Sequence, residues 1–181
     1  MLTIKGRYGV VESSTGRILV PLDYKSITIQ KYGIVAECDN LSSDIYSFDG
    51  TPLLKAYNKV LLLEDHLLLT ANDSFCVLID YYTHNLIGTV ADSILFFYGN
   101  KEKAETFSTS VDISKILSDP AYVKYGAHLE ERIAIQSSQN HKWGIWNRFT
   151  NSLSTDFLYP HMVQATEDRI MVRKDNTPTM L

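Results

Sequence analysis

RYGVVESSTGRILVPLDYKSI, residues 7–27, and KWGIWNRFTNSLSTDFLYPHM, residues 142–162, follow the same course. Each opens with a basic residue, an aromatic, Gly and a branched aliphatic, then passes through a polar turn and a short apolar run to a Tyr. A third triplet of the aromatic–small–aliphatic kind, Phe75-Cys76-Val77, lies between Tyr8-Gly9-Val10 and Trp143-Gly144-Ile145. The gaps between their first residues are 67 and 68, each close to twice 34. A repeat of about 34 residues therefore predicts further copies near residues 42 and 109.

The first of these is present as SSDIYSFDGTPLLKAYNKV (42–60). The second, STSVDISKILSDPAYVKY (108–125), keeps the apolar beat and lacks the aromatic–Gly head. The second halves of the repeats give the same period independently. They begin at Tyr24, Tyr57, Ala91, Tyr122 and Tyr159, advancing by 33, 34, 31 and 37 residues. The reading is five repeats in one array, at roughly 6–40, 41–73, 74–107, 108–140 and 141–176.

Within a repeat the apolar residues alternate with period two, as strands require. Ile27 and Ile29 are expected to pair across Lys31-Tyr32-Gly33 with Ile34 to Cys38. Pro21 marks an edge or a bend, because it has no N–H for a ladder. Each repeat reads as two hairpins, so the fold class is all-β. Val111 to Leu117 is the one segment with a partial helical face, fitting a helical insertion in the fourth repeat. A four-stranded repeat cannot bury its apolar face alone, so neighbours stack. Closure into a small propeller and an open β-superhelix both satisfy this, closure being slightly favoured.

These residues resemble the WG-repeat family of bacterial proteins. Arg7-Tyr8-Gly9-Val10 and Lys142-Trp143-Gly144-Ile145 carry the likeness, each followed by a turn and a Tyr-x-x-hydrophobic step. The resemblance covers most of the chain as periodicity and is specific in the first and last copies. It implies a β-rich interaction module without catalytic residues of its own.

Composition agrees with a folded, soluble chain. Of 181 residues, 45% are hydrophobic and 21% charged, enough to bury a core. Cys38 and Cys76 lack CxxC spacing and read as two half-buried thiols in a reducing compartment. The opening MLTIKGRYGV lacks an apolar stretch of signal-peptide length, and the longest apolar runs are short of a membrane span of roughly 20 residues. A cytoplasmic location without membrane contact is expected. The net charge of −4 argues against nucleic acid and suits a basic protein partner.

Repetition places equivalent turns on one rim. The turns between third and fourth strands hold Lys31-Tyr32, then Glu64-Asp65-His66, Lys101-Glu102-Lys103, Glu130-Glu131 and Glu167-Asp168-Arg169. Glu64, Asp65, Glu102, Glu130, Glu131, Glu167 and Asp168 are thus the candidate partner-binding residues, as an acidic rim. Charged residues also suit any exposed turn, which is the plainer reading.

Catalytic signatures are not found in the sequence, and no cofactor is expected. His66, His84, His128, His141 and His161 have neither HxH nor HExxH spacing, so no metal site is expected. Asp80 with His84 reads as turn residues, and Ser13-Ser14 and Ser42-Ser43 have no GxSxG context. Trp143 reads as core and Trp146 as partly exposed or bonded through its indole N–H. The expected function is non-enzymatic protein binding, as in a bacterial immunity protein that covers a basic, nuclease-like toxin domain. A general scaffold, a lectin-like carbohydrate binder and a hydrolase assembled from scattered His, Asp and Ser are the rivals.

Overall fold

The alternating runs fold as antiparallel strands throughout, with Gly, Asn, Asp and His taking the turns. The structure is a computed structural model that describes residues 1–63, 66–99, 103–166, 169–174 and 177–180. It is mainly β, and the chain divides into two compact units, Met1–Asn58 and Lys59–Leu181.

The first unit holds a three-stranded sheet of β1 (Leu2–Ile4), β2 (Arg7–Val11) and β3 (Ile18–Tyr24), and a four-stranded meander. The meander is β4 (Ser26–Gln30), β5 (Gly33–Glu37), β6 (Ser43–Tyr46) and β7 (Pro52–Tyr57). Ile27 and Ile29 pair with Ala36 and Ile34 across the Lys31-Tyr32 turn, as expected. Val20 and Tyr24 of one sheet pack with Ile34, Ala36 and Tyr46 of the other to form the core. Inside it the Tyr24 hydroxyl donates to Asp44 Oδ2 at 2.7 Å and lies 2.5 Å from the Tyr46 hydroxyl. Burial, then these bonds, push the Tyr24 hydroxyl far above its ordinary pKa, so it stays protonated and available as a donor.

The second unit begins with β8 (Lys59–Leu62), β9 (Leu67–Ala71), β10 (Cys76–Asp80) and the long β11 (Asn85–Tyr98). After β12 (Lys103–Ser108) come α1 (Ile113–Ser118) and α2 (Pro120–Tyr125). Then follow β13 (Ala127–His128), β14 (Arg132–Ser137), β15 (Trp143–Asn147) and β16 (Ser152–Tyr159). The strands β8 to β16 form one nine-stranded sheet, and β17 (His161–Thr166), β18 (Arg169–Lys174) and β19 (Thr177–Met180) form a separate three-stranded one.

The apolar run Ile94 to Tyr98 is explained by β11, whose two faces are both covered. Ile94, Phe96 and Tyr98 join the larger core, while Leu95 and Phe97 join Ala134, Trp143 and Ile145 on the other face. At its middle β11 changes partners: β10 pairs with it up to Ala91, and β12 takes over from Ser93. Gly88, at φ +81°, supplies a left-handed step in the first half of this strand. No helix among the described residues is long and apolar enough to cross a membrane.

Four hairpins share one irregularity. Tyr8 pairs with Tyr24 but Val10 with Val20, so two steps on one strand oppose four on the other. Cys76 with Ala91 then Leu78 with Ile87, and Trp143 with Tyr159 then Ile145 with Thr155, repeat the count. Ser43 with Tyr57 then Ile45 with Leu54 gives two against three. This bulge brings the partner strand against the second residue of each head. A Cβ on Gly9 would lie 2.7 Å from the Val20 carbonyl oxygen and 2.8 Å from that of Pro21. Asp44 occupies the same register position and uses it differently: its Oδ1 accepts the N–H of Ala56, a bulge residue at φ +56°.

The structure corrects two readings of the sequence, the head of the third hairpin and the place of Tyr122. By register the head of the third hairpin is Cys76, and Phe75 is its neighbour, because pairing and not aromaticity sets the position. The hydrogen-bonded meander β4–β7 takes the second half of one expected repeat and the first half of the next. Tyr122 starts no strand; it lies in α2. Tyr125 stands where Tyr122 was expected, two residues before β13, as Tyr24, Tyr57 and Tyr159 stand two residues before β4, β8 and β17. With Ala91, two residues before β12's first partner on β11, the steps become 33, 34, 34 and 34.

The helical insertion is present and larger than one turn. Asp112 caps α1, accepting from the N–H groups of Ser114 and Lys115, and Asp119 caps α2, accepting from Ala121. Pro120 at the first helical position and Gly126 at φ +68° complete the second helix.

Candidate functional site

Of the seven acidic-rim candidates, Glu64, Asp65, Glu102, Glu167 and Asp168 lie outside the described residues. Glu130 and Glu131, between β13 and β14, diverge. The Glu130 side chain is 26% exposed and its Oε1 lies 3.4 Å from Nε2 of the buried His128, which stacks on Phe97. Glu131 is exposed and accepts from Asn147 Nδ2 at 2.9 Å. Of the two described candidates, Glu131 is the one that faces outward as a rim residue would.

That bond belongs to a longer string of contacts. The Glu131 carbonyl also accepts the Arg148 N–H, joining the β13–β14 and β15–β16 connections. In the latter, Asn151 reaches across to the β10–β11 hairpin: Oδ1 accepts from the Gly88 N–H at 3.0 Å, and Nδ2 donates to the Leu86 carbonyl at 3.2 Å. The same Oδ1 accepts from the Trp146 indole at 3.0 Å, the bond the sequence reading allowed for, while Trp143 is buried. Finally the Tyr81 N–H donates to the His66 carbonyl, tying in the β8–β9 connection. Four connections, far apart in sequence, are thus held together by hydrogen bonds to backbone.

Large apolar groups emerge along this string. Tyr82 is 67% exposed and Phe149 70%, with Leu86 and Leu153 beside them in sequence also exposed. Both rings stand on the same local device. Asp80 Oδ1 accepts the N–H groups of Tyr82 and Thr83, and Asn147 Oδ1 those of Phe149 and Thr150. Asp80 is accordingly a turn builder, and His84, at φ +61°, follows it in a left-handed turn position. In the first unit Phe48 likewise lies two residues past a strand end and is exposed, and Arg17 Nη2 donates to the Asp49 carbonyl of that turn.

The sequence reading passed over these rings. Their signal was an aromatic just before the polar turn in IYSFDG, IDYYTH and WNRFTN, with spacings of 34 and 67 between Phe48, Tyr82 and Phe149.

Cys76 is buried, its thiol pushed up to about 12 by desolvation, so it stays protonated and unreactive. His66 and His141 take left-handed turn positions at φ +70° and +57°, and His161 is exposed at the start of β17. Among the described residues no group of three or more His, Cys, Asp or Glu is arranged to hold a metal. A cavity of about 320 Å³ lies between the β11–β12 hairpin and α1–α2, lined in part by Tyr98, Glu105, Asp112 and Asp119. Two of its carboxylates cap helices, and Asp119 also binds Lys103 Nζ at 2.7 Å.

Those caps make the second unit acid-sensitive. The bond from Lys103 holds Asp119 below its ordinary range, and the bond from Ser114 Oγ does the same for Asp112. A carboxyl depressed in the folded state stabilises it above the unfolded pKa and loses that contribution as pH falls through the folded one. The urea midpoint should therefore decline below about pH 4, and Asp119→Asn should flatten the decline. An unchanged profile in that variant would show that the caps contribute nothing.

No protein-family model matches the chain, and no curated protein matches it.

Proposed function

We propose that this chain is a non-enzymatic protein-binding module built from diverged WG-like repeats, a cytoplasmic immunity-type inhibitor that covers a basic, nuclease-like toxin domain. The recurring bulge and the 33- to 34-residue steps support the repeat reading. The functional reading is carried by one observation. The four connections joined through His66, Asn151 and Glu131 contain Glu64, Asp65, Glu130 and Glu131 in sequence against a single arginine, Arg148. Such an excess of carboxylates over cations steers a basic partner and suits occlusion of a phosphate-binding face.

The test is to express the products of the neighbouring genes and measure binding to a basic toxin domain among them. Association should slow about tenfold between 50 and 300 mM salt. The triple change Glu64→Lys, Asp65→Lys, Glu131→Lys should slow it by a similar factor at low salt. Binding that is indifferent to both would remove the basic-partner reading. The stacking of exposed Tyr82 on Tyr81, centroids 5.3 Å apart at 25°, supports a second reading, a carbohydrate platform, which a glycan array tests.

A further inference from the structure

We infer that Tyr82 and Phe149 are the two anchor residues by which the second unit grips a folded protein partner, with Leu86 and Leu153 as their apolar surround. The inference rests on the protein-binding reading and names the residues that supply its affinity.

Exposed apolar side chains scattered singly are ordinary; a linked set is not. Here two rings leave the sheet at the same place, the second residue past a strand end, each on an Asx turn. Each is also held from the side. His66 packs edge-on against Tyr82 with centroids 4.0 Å apart, and the Arg148 guanidinium lies 4.6 Å from the Phe149 centroid. Rings fixed before binding lose little conformational freedom on contact, which favours them as anchors. The Asn151 bracket to Leu86 and Gly88 ties the two hairpins that carry the rings together.

A protein fits this surface better than a sugar does. Carbohydrate sites need convergent polar groups that are free to bond. Asp80, Asn147 and Asn151, three polar side chains beside the rings, are spent on the turns and the bracket, and the Thr150 and Ser152 hydroxyls bond each other. The exposed area around the rings is aromatic and aliphatic on a chain of net charge −4, with the exposed Glu131 bonded to the Asn147 turn beneath Phe149. That combination takes an apolar patch edged with Lys and Arg, whose stems lie on the leucines and whose cations meet the Tyr82 face and the acids.

Photocrosslinking in the native host followed by titration tests this. A benzophenone amino acid is placed at Tyr82, at Phe149, and at Val123, exposed on α2. One basic protein should be captured at the first two positions and not at the third. With that protein purified, Tyr82→Ser and Phe149→Ser should each weaken binding at least tenfold and together at least a hundredfold, with thermal unfolding unchanged. A purified partner whose affinity falls less than threefold in the double variant overturns the anchor inference and leaves protein binding standing. Capture at Val123 instead has the same meaning. Oligosaccharide binding that is lost in the double variant, with no protein captured at any position, overturns both.

Discussion

Replacing Gly9 with alanine should destabilise the Met1–Asn58 unit by about 3 kcal/mol, a large share of what so small a unit can hold. The reason is the bulge. Between Tyr24 and Val20 the third strand bows toward β2, and the added methyl would meet Val20 O, Pro21 O and Pro21 C at 2.7, 2.8 and 2.9 Å. All three are backbone atoms of a paired strand, so relief requires moving the ladder. Two comparisons isolate the cause. Gly6→Ala adds a methyl to open space and meets only the strain of φ +76°, about 1 kcal/mol. Gly144→Ala meets chiefly the Phe157 ring, at 2.7 and 3.0 Å, which can turn aside, so a cost of about 1–2 kcal/mol is expected. Amide hydrogen exchange of β2 and β3 for the Gly9 and Gly6 variants, and of β15 and β16 for the Gly144 variant, gives the ranking. A Gly9→Ala loss below 1 kcal/mol would mean the bulge is soft and glycine is not required at the head.

That glycine shows how far the sequence could be read. Its recurrence in Tyr8-Gly9 and Trp143-Gly144 pointed to a packing constraint, and the strand period and the Ile27–Ile29 hairpin were legible from alternation alone. The phase was not. Periodicity gives the spacing of equivalent residues but not which hairpins share a sheet, and bulges shift register without leaving a mark in an apolar pattern. Cys76 replaces Phe75 as head for this reason.

The stretch expected as a fourth repeat departs from expectation for a different reason. Its Tyr122 matched the tyrosine position by residue type, while the helix signal around it went unused. Asp119-Pro120 followed by Gly126 gives an N-cap, a proline at the first turn and a C-terminal glycine. Reading those first would have moved the tyrosine to Tyr125 and regularised the period. The site was less legible still. A turn position could be inferred from composition, but the bonds of Asn151 to Leu86 and Gly88 span 65 and 63 residues. Nothing local in TNSL announces them.

Whether α1 and α2 are ornaments or part of the core is decided by Phe107. Its ring is fully buried in β12, opposite Ile94, in the cluster that also takes Leu61, Phe96 and, from α1, Ile116. Lys59 Nζ donates to the Thr109 carbonyl just beyond β12, and Tyr122 of α2 donates to the Leu62 carbonyl at 3.4 Å. The helices therefore lie along β8, where a strand could otherwise add, and close the core around Phe107. Phe107→Ala should then cost the second unit about 4 kcal/mol, from lost burial and a cavity that paired strands cannot collapse. Cys76 supplies an independent readout, because its thiol is fully buried and directed at the carbonyls of Ala91 and Phe107 at 3.3 and 3.7 Å. Its labelling by maleimide should accelerate by about a hundredfold or more, since exposure of a core thiol follows the opening equilibrium. A loss under 2 kcal/mol with Cys76 still protected would mean that the helices shift inward to fill the space. The insertion would then be a loose cover and not a replacement for two strands.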